Sequence, residues 1–144
     1  MEVPRKAVLL VGGKGTRLRP LTYKIPKALI DVNGKTITEH LVELLKSNGV
    51  SEVIFSVGYL GDKIKDHFGN GEKHGVKVNY IEEDEFLGTA GPLLLYKDSL
   101  NETFIAGNGD ELKEIDIKEM FKFHKENKAV ATLALTKVED PSQY

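Results

Sequence analysis

Three glycines in four positions, Gly12-Gly13-Lys14-Gly15, precede Thr16-Arg17-Leu18-Arg19-Pro20-Leu21-Thr22. Glycines let the backbone approach a ligand closely and aim its N–H groups inward, as phosphate cradles do. Arg17 adds a fork of donors matched to phosphate oxygens. Two better-known phosphate loops are excluded. The dinucleotide fingerprint fails because Leu18 stands where its third glycine belongs. A Walker loop built on Gly34-Lys35-Thr36 fails because Leu29 occupies the required glycine position and no strand immediately precedes it.

Further along lie three more candidates. Ile25-Pro26-Lys27 places an ammonium after a stiffened turn, where it is a point charge for phosphate. Phe104-Ile105-Ala106-Gly107-Asn108-Gly109-Asp110 places a carboxylate at the end of an apolar run, behind two glycines. A lone carboxylate there suits Mg²⁺, which keeps several waters and takes one or two carboxylates plus substrate phosphates. Glu82-Glu83-Asp84-Glu85 runs up to Gly88-Thr89-Ala90-Gly91. Such acids are either a solvated loop or acceptors for the N1–H and N2–H of guanine. Glu111 and Asp116 read as solvated or capping residues. The four histidines, His40, His67, His74 and His124, show no metal or triad spacing.

The elements that must position these groups alternate in type. Ala7–Val11 is an apolar run of strand length, suited to burial on both faces. Ile37, Leu41, Leu44 and Leu45 repeat along one helix face, with Thr36 and Glu39 as a capping box and Gly49 as the stop. The pattern predicts strands over 53–57, 76–80, 103–106 and 129–136. It predicts helices over 62–68, 90–100 and 117–127, the last with Met120, Phe121 and Phe123-His124 partly inward. Strands alternating with helices imply a parallel sheet covered on both faces. Ligands in such sheets bind at the carboxyl ends of the strands, where strand order reverses.

Composition narrows the class. The 144 residues carry 20 Lys and Arg against 22 Asp and Glu, a net charge of −2, which lacks the basic surface of a nucleic-acid binder. With no cysteine, thiolate metal sites, disulfides and cysteine catalysis are excluded. The apolar run ending at Gly12 is too short for a signal-peptide core or a membrane span, so the expected location is cytoplasmic.

Leu10-Val11-Gly12-Gly13-Lys14-Gly15-Thr16-Arg17-Leu18-Arg19-Pro20-Leu21-Thr22 with Pro26-Lys27 resembles the signature of the sugar-1-phosphate nucleotidyltransferases. Leu87-Gly88-Thr89-Ala90-Gly91-Pro92-Leu93 and Asn108-Gly109-Asp110 match in order, and the resemblance covers essentially the whole chain. It implies a Rossmann-like three-layer α/β/α fold with a mostly parallel sheet, and residues 1–144 as the nucleotide-binding part of one catalytic domain that ends early on its C-terminal side. It implies transfer of a nucleotidyl group from a nucleoside triphosphate to a sugar 1-phosphate, with Mg²⁺ as cofactor and a homo-oligomer left open. Arg17, Lys27 and Asp110 take catalytic roles, and Asp110 holds the metal. Leu10, Gly12, Gly13, Gly15, Thr16, Arg17, Glu83, Gly88 and Asp110 bind the nucleotide. Val11, the acidic stretch before Leu87 and the segment 136–144 lean towards GTP and mannose 1-phosphate; thymidylyl and uridylyl transfer share much of the pattern. A non-catalytic nucleotide-binding domain of the same fold is the rival class. Ala28 departs from the family's usual second proline, and Glu111 from its usual apolar residue.

Overall fold

A computed structural model of the chain describes residues 3–83, 87–140 and 142. In chain order the strands are β1 (Lys6–Leu10), β2 (Asp31–Val32), β3 (Lys35–Thr36), β4 (Glu52–Val57), β5 (Lys77–Glu82) and β6 (Ile105–Asn108). The helices are α1 (Ile37–Ser47), α2 (Gly61–Phe68), α3 (Gly91–Leu95) and α4 (Ile117–Glu126). The central sheet is parallel throughout and ordered β5-β4-β1-β6. The chain walks outward from β1 through β4 to β5, then returns to add β6 on the other side of β1. Strand order therefore reverses beside β1, the place where open parallel sheets bind ligands.

The period-two alternation of the strands sorts their side chains onto two faces. Ala7, Leu9, Val53, Phe55, Val57 and Val78 pack with Leu41, Val42 and Leu45 of α1, Ile64 and Phe68 of α2, and Ile117 of α4. Val8, Ile54 and Ile81 point the other way, under Leu93, Tyr96, Leu100 and Phe104. Both faces are covered, which gives the expected three layers. Among the described residues, no helix is long and apolar enough to cross a membrane.

The α1 capping box forms as expected: the Glu39 N–H donates to Thr36 Oγ1 at 3.1 Å and the Thr36 N–H to Glu39 Oε2 at 2.6 Å. Gly49 follows the C-cap with φ of +107°. Asp116 caps α4 by accepting from the Glu119 N–H at 2.8 Å.

Four local expectations are corrected. The helix expected over 90–100 is split into α3 and a separate 3-10 turn, Lys97–Ser99. Its leucines do not keep one buried stripe: Leu94 and Leu95 are exposed while Leu93 and Leu100 pack inward. The strand expected over 103–106 is β6, two residues later, where its backbone pairs with β1. Phe123 projects to solvent, because α4 turns Ile117 and Phe121 to the core instead. Residues 129–136 are not a strand: they have no sheet partner among the described residues, and Val130, Leu133 and Leu135 are exposed. The β2–β3 hairpin, turning at Asn33 (φ 58°) and Gly34 (φ 84°), was not anticipated although Asn-Gly is its usual signal.

Because the capping box satisfies two otherwise orphaned donors, Thr36→Ala should lower stability by about 1 kcal/mol. Urea denaturation of the two proteins checks it, with an unchanged midpoint counting against the box as a stabilising element.

Candidate functional site

The chain leaves β1 under tight control. The Val11 N–H donates to the Ser56 carbonyl at 3.0 Å, and the Tyr59 N–H to the Gly12 carbonyl at 3.2 Å. Gly12 passes Gly58 at backbone contact: a Cβ on Gly12 would lie 3.0 Å from the Gly58 nitrogen. Gly13 is the opposite case, with open space around a built Cβ. At Gly15 the backbone is left-handed, and a Cβ would press to 2.9 Å from the Thr22 methyl. The buried Thr22 hydroxyl donates to the Gly15 carbonyl at 2.8 Å, closing the loop. Thr16, Arg17 and Leu18 form an exposed 3-10 turn beyond it. Arg19 is drawn off, with its guanidinium 4.9 Å above the Tyr23 ring.

Lys27 opens the next 3-10 turn behind the buried Pro26. Asp110 arrives from 83 residues later, directly after Gly109 at the end of β6. Gly109 is held at both ends: its N–H donates to the Leu10 carbonyl at 2.8 Å, and its carbonyl accepts from the buried Thr38 hydroxyl at 2.6 Å. A Cβ there would lie 2.5 Å from Val11 Cγ1. So placed, Asp110 Oδ2 sits 3.5 Å from Lys27 Nζ, with side-chain exposures of 22% and 27%. Both groups are partly sheltered yet reachable.

Gly15, Thr16, Arg17, Leu18, Lys27 and Asp110 line one open cleft of about 480 Å³. The glycine loop, the lysine and the strand-end aspartate thus converge, as their motifs suggested. Leu10, Gly12, Gly13, Glu83 and Gly88 are not among the cleft's lining residues. Leu10 sits between β4 and β6, paired with Ser56 and Asn108, and acts through its carbonyl on Gly109.

Glu83 follows β5, at the other end of the same sheet edge. Its Oε1 accepts from the buried Ser56 hydroxyl at 2.5 Å, and its Oε2 from the Leu87 N–H at 3.3 Å. It therefore ties the start of the Leu87–Gly91 segment to β4. Gly88 has φ of +73° and open space around it. Asp84 and Glu85 lie outside the described residues.

Glu111 is an exposed residue that braces the turn after β6, accepting from Asn108 Nδ2 at 2.9 Å and Lys113 Nζ at 2.7 Å. The Lys113 hydrogen bond, opposed by partial desolvation and aided by Asn108 and the charges of Lys113 and Lys27, holds its carboxyl below the usual range. Thr38 and Gly109 were not singled out beforehand. The Gly-Asn-Gly-Asp sequence held a signal for Gly109, whereas Thr38 reaches it across 71 residues with none.

The donor set suits a hard divalent cation. A carboxylate on the cleft wall leaves most coordination positions to water and phosphate oxygens, the mode Mg²⁺ prefers.

Residues 6–144 match the family described as nucleotidyl transferase. The chain belongs to the nucleotidyl transferase family. Among curated relatives, the mannose-1-phosphate guanylyltransferase catalytic subunit beta of Xenopus tropicalis is 43% identical over 143 residues, covering 96% of this chain and 40% of that protein. The mannose-1-phosphate guanylyltransferase 1 of Arabidopsis thaliana is 42% identical over 144 residues, again with 40% of its length covered. The chain therefore spans about two fifths of these nucleotidyl transferases. Among solved structures, HddC from Yersinia pseudotuberculosis superposes with a TM-score of 0.73 at 35% identity, over 83% of this chain and 54% of that one, and is also known complexed with GMP-PN. A UDP-glucose pyrophosphorylase at 20% identity and TM-score 0.72 shares the fold.

The clamp on Gly109 makes a direct demand on this chain. Gly109→Ala should cost about 1–3 kcal/mol of stability through overpacking against Val11, and should weaken binding at the cleft because Asp110 shifts with it. Denaturation midpoints and nucleotide titration check the two effects, and a variant as stable as the parent would show the contact to be slack.

Proposed function

We propose that this chain carries the nucleotide-handling machinery of an enzyme that moves a nucleotidyl group from a nucleoside triphosphate to a sugar 1-phosphate, releasing pyrophosphate. GTP and mannose 1-phosphate are the favoured pair. The observation that carries the reading is the convergence of Arg17, Lys27 and Asp110 on one cleft where strand order reverses. The names of the relatives at 42–43% identity support the sugar and the base.

In the proposed reaction a phosphate oxygen of the sugar 1-phosphate attacks the α-phosphorus, and the bond to the β-phosphate bridging oxygen breaks. The nucleophile is already anionic at neutral pH, so no general base is needed. The protein's work is positioning and charge compensation. The backbone around Gly12, Gly13 and Gly15 receives the nucleotide, with Leu10 and Thr16 supporting the loop. Arg17 steadies the triphosphate and the charge that develops on it. Lys27 meets phosphate on the cleft wall. Asp110 would hold Mg²⁺, which when bound would offset phosphate charge. β5 and β6 are three strand intervals apart, roughly 14 Å. That separation supports Glu83 and Gly88 at the base end of an extended nucleotide whose phosphates would lie near Asp110. Glu83 shapes that end by holding Leu87, and its carboxylate is an acceptor suited to guanine donors.

Arg17→Ala should weaken GTP by about 1.5–3 kcal/mol, the worth of a charge-assisted hydrogen bond, and leave guanosine unchanged. Calorimetric titration of both ligands decides it; equal losses would remove Arg17 from the triphosphate.

Asp110→Asn should abolish the tightening of GTP binding by Mg²⁺ while the fold survives. Coincident Mg²⁺ titrations of parent and variant would make Asp110 a turn residue only. Tighter binding of dTTP or UTP than of GTP would move the reading to thymidylyl or uridylyl transfer. Tight GTP binding by the protein without pyrophosphate release on adding mannose 1-phosphate would favour a non-catalytic domain.

A further inference from the structure

Away from the cleft, three elements bring two imidazoles to one carboxylate. Glu39 stands in the first turn of α1, His67 in the last turn of α2, and His74 in the 3-10 turn Glu72–His74. Their nearest ligand atoms all lie within 4.8 Å of one another. His67 Nε2 is 3.1 Å and His74 Nδ1 3.9 Å from the same oxygen, Glu39 Oε1. We propose that Glu39, His67 and His74 bind a borderline divalent cation of the Zn²⁺ type, a site separate from the nucleotide cleft.

The chemistry of the set points to that class of ion. Two neutral imidazoles and one carboxylate suit Zn²⁺ and its neighbours, whereas Mg²⁺ takes oxygen donors. Three protein ligands leave a fourth position for water. Tetrahedral bonds of about 2.05 Å place ligand atoms about 3.3 Å apart. The carboxylate and His67 already meet that spacing, and the widest pair must close by at most about 1.5 Å.

The surroundings hold the ligands in place. Glu39 Oε2 is fixed by the Thr36 N–H at 2.6 Å, which leaves Oε1 turned towards the histidines. Outer hydrogen bonds of this kind orient metal ligands and tune their affinity. Phe68 backs both rings, with centroids 4.9 Å from His67 and 4.8 Å from His74. Side-chain exposures of 20% for Glu39, 34% for His67 and 17% for His74 keep the group sheltered but open to entry. The Lys46 ammonium, lying over Gly75, is a nearby positive charge that a bound cation would push towards solvent. An ion here would tie α1 to α2 and the 71–75 turn, which are themselves joined by the Gly71 N–H to Phe68 carbonyl bond at 2.9 Å.

The test uses tag-free protein stripped with chelator. Zn²⁺ should bind with one-to-one stoichiometry and raise the melting temperature, and Co²⁺ should give the visible spectrum of a four-coordinate nitrogen and oxygen site. His67→Gln and His74→Phe should each weaken Zn²⁺ at least tenfold. His74→Phe keeps the aromatic packing on Phe68, and circular dichroism without metal confirms that the variants are folded. Asp110→Asn should leave the Zn²⁺ response intact, which separates this site from the cleft. The proposal is overturned if the parent binds no Zn²⁺, or if folded His74→Phe binds it as tightly as the parent. It is equally overturned if Asp110→Asn, and not the histidine variants, abolishes binding.

Discussion

The site depends on how Gly109 is gripped. Its N–H is spent on the Leu10 carbonyl and its carbonyl on the Thr38 hydroxyl, in a space that Val11 denies to any side chain. Both bonds are short, and the one to Thr38 is fully buried, so neither is easily exchanged for water. The next residue has little freedom left. Asp110 faces Lys27 from a backbone already held at Gly109, so the pairing does not rest on the attraction of the two charges alone. Thr38 also sits one residue before Glu39 in the first turn of α1, so the capping box that fixes the start of that helix fixes the partner of Gly109 as well.

Much of this was legible in the residues, and the limits follow from what local sequence carries. Continuous apolar runs such as Ala7–Val11 and the periodic Ile37, Leu41 and Leu45 face identify buried strands and an amphipathic helix, because burial and period are local properties. The capping box and the Gly12–Gly15 loop are likewise written in consecutive residues. The meeting of Arg17 and Asp110 was legible from topology, since each follows a strand whose end must lie on one sheet edge, and Lys27 was legible from its place after the glycine loop. Pairing is different. The position of β6 is set by its register on β1, and the 129–136 segment, strand-like in sequence, has no described neighbour to pair with. Residues joined across 28, 35 or 71 positions, such as Glu39 with His67 and His74 or Thr38 with Gly109, leave no local trace.

The relatives share the fold and the nucleotide chemistry in their names while differing in base, from guanylyl to uridylyl. The architecture explains how both can be so. The glycine loop and the strand-end aspartate are built from backbone constraints around β1 and β6. Glu83, just past β5, accepts through its side chain from the Ser56 hydroxyl of β4 and from the Leu87 N–H. Under the function proposed above, phosphate handling rests on the sheet and base selection on a connection that tolerates replacement.

The Lys27–Asp110 pair has a further consequence. Before any ligand arrives, each charge is largely cancelled by the other across 3.5 Å. A polyanion alone must break that pair and meets the aspartate's repulsion; a cation alone must break it and meets the lysine's. Arriving together, each ligand charge finds an opposite one, and the pair is replaced by two. Under the function proposed above, cation and nucleotide are coupled through this pair, and thermodynamic reciprocity requires that each tighten the other by the same factor. The resting pair thus biases the cleft towards the two ions together over either one alone.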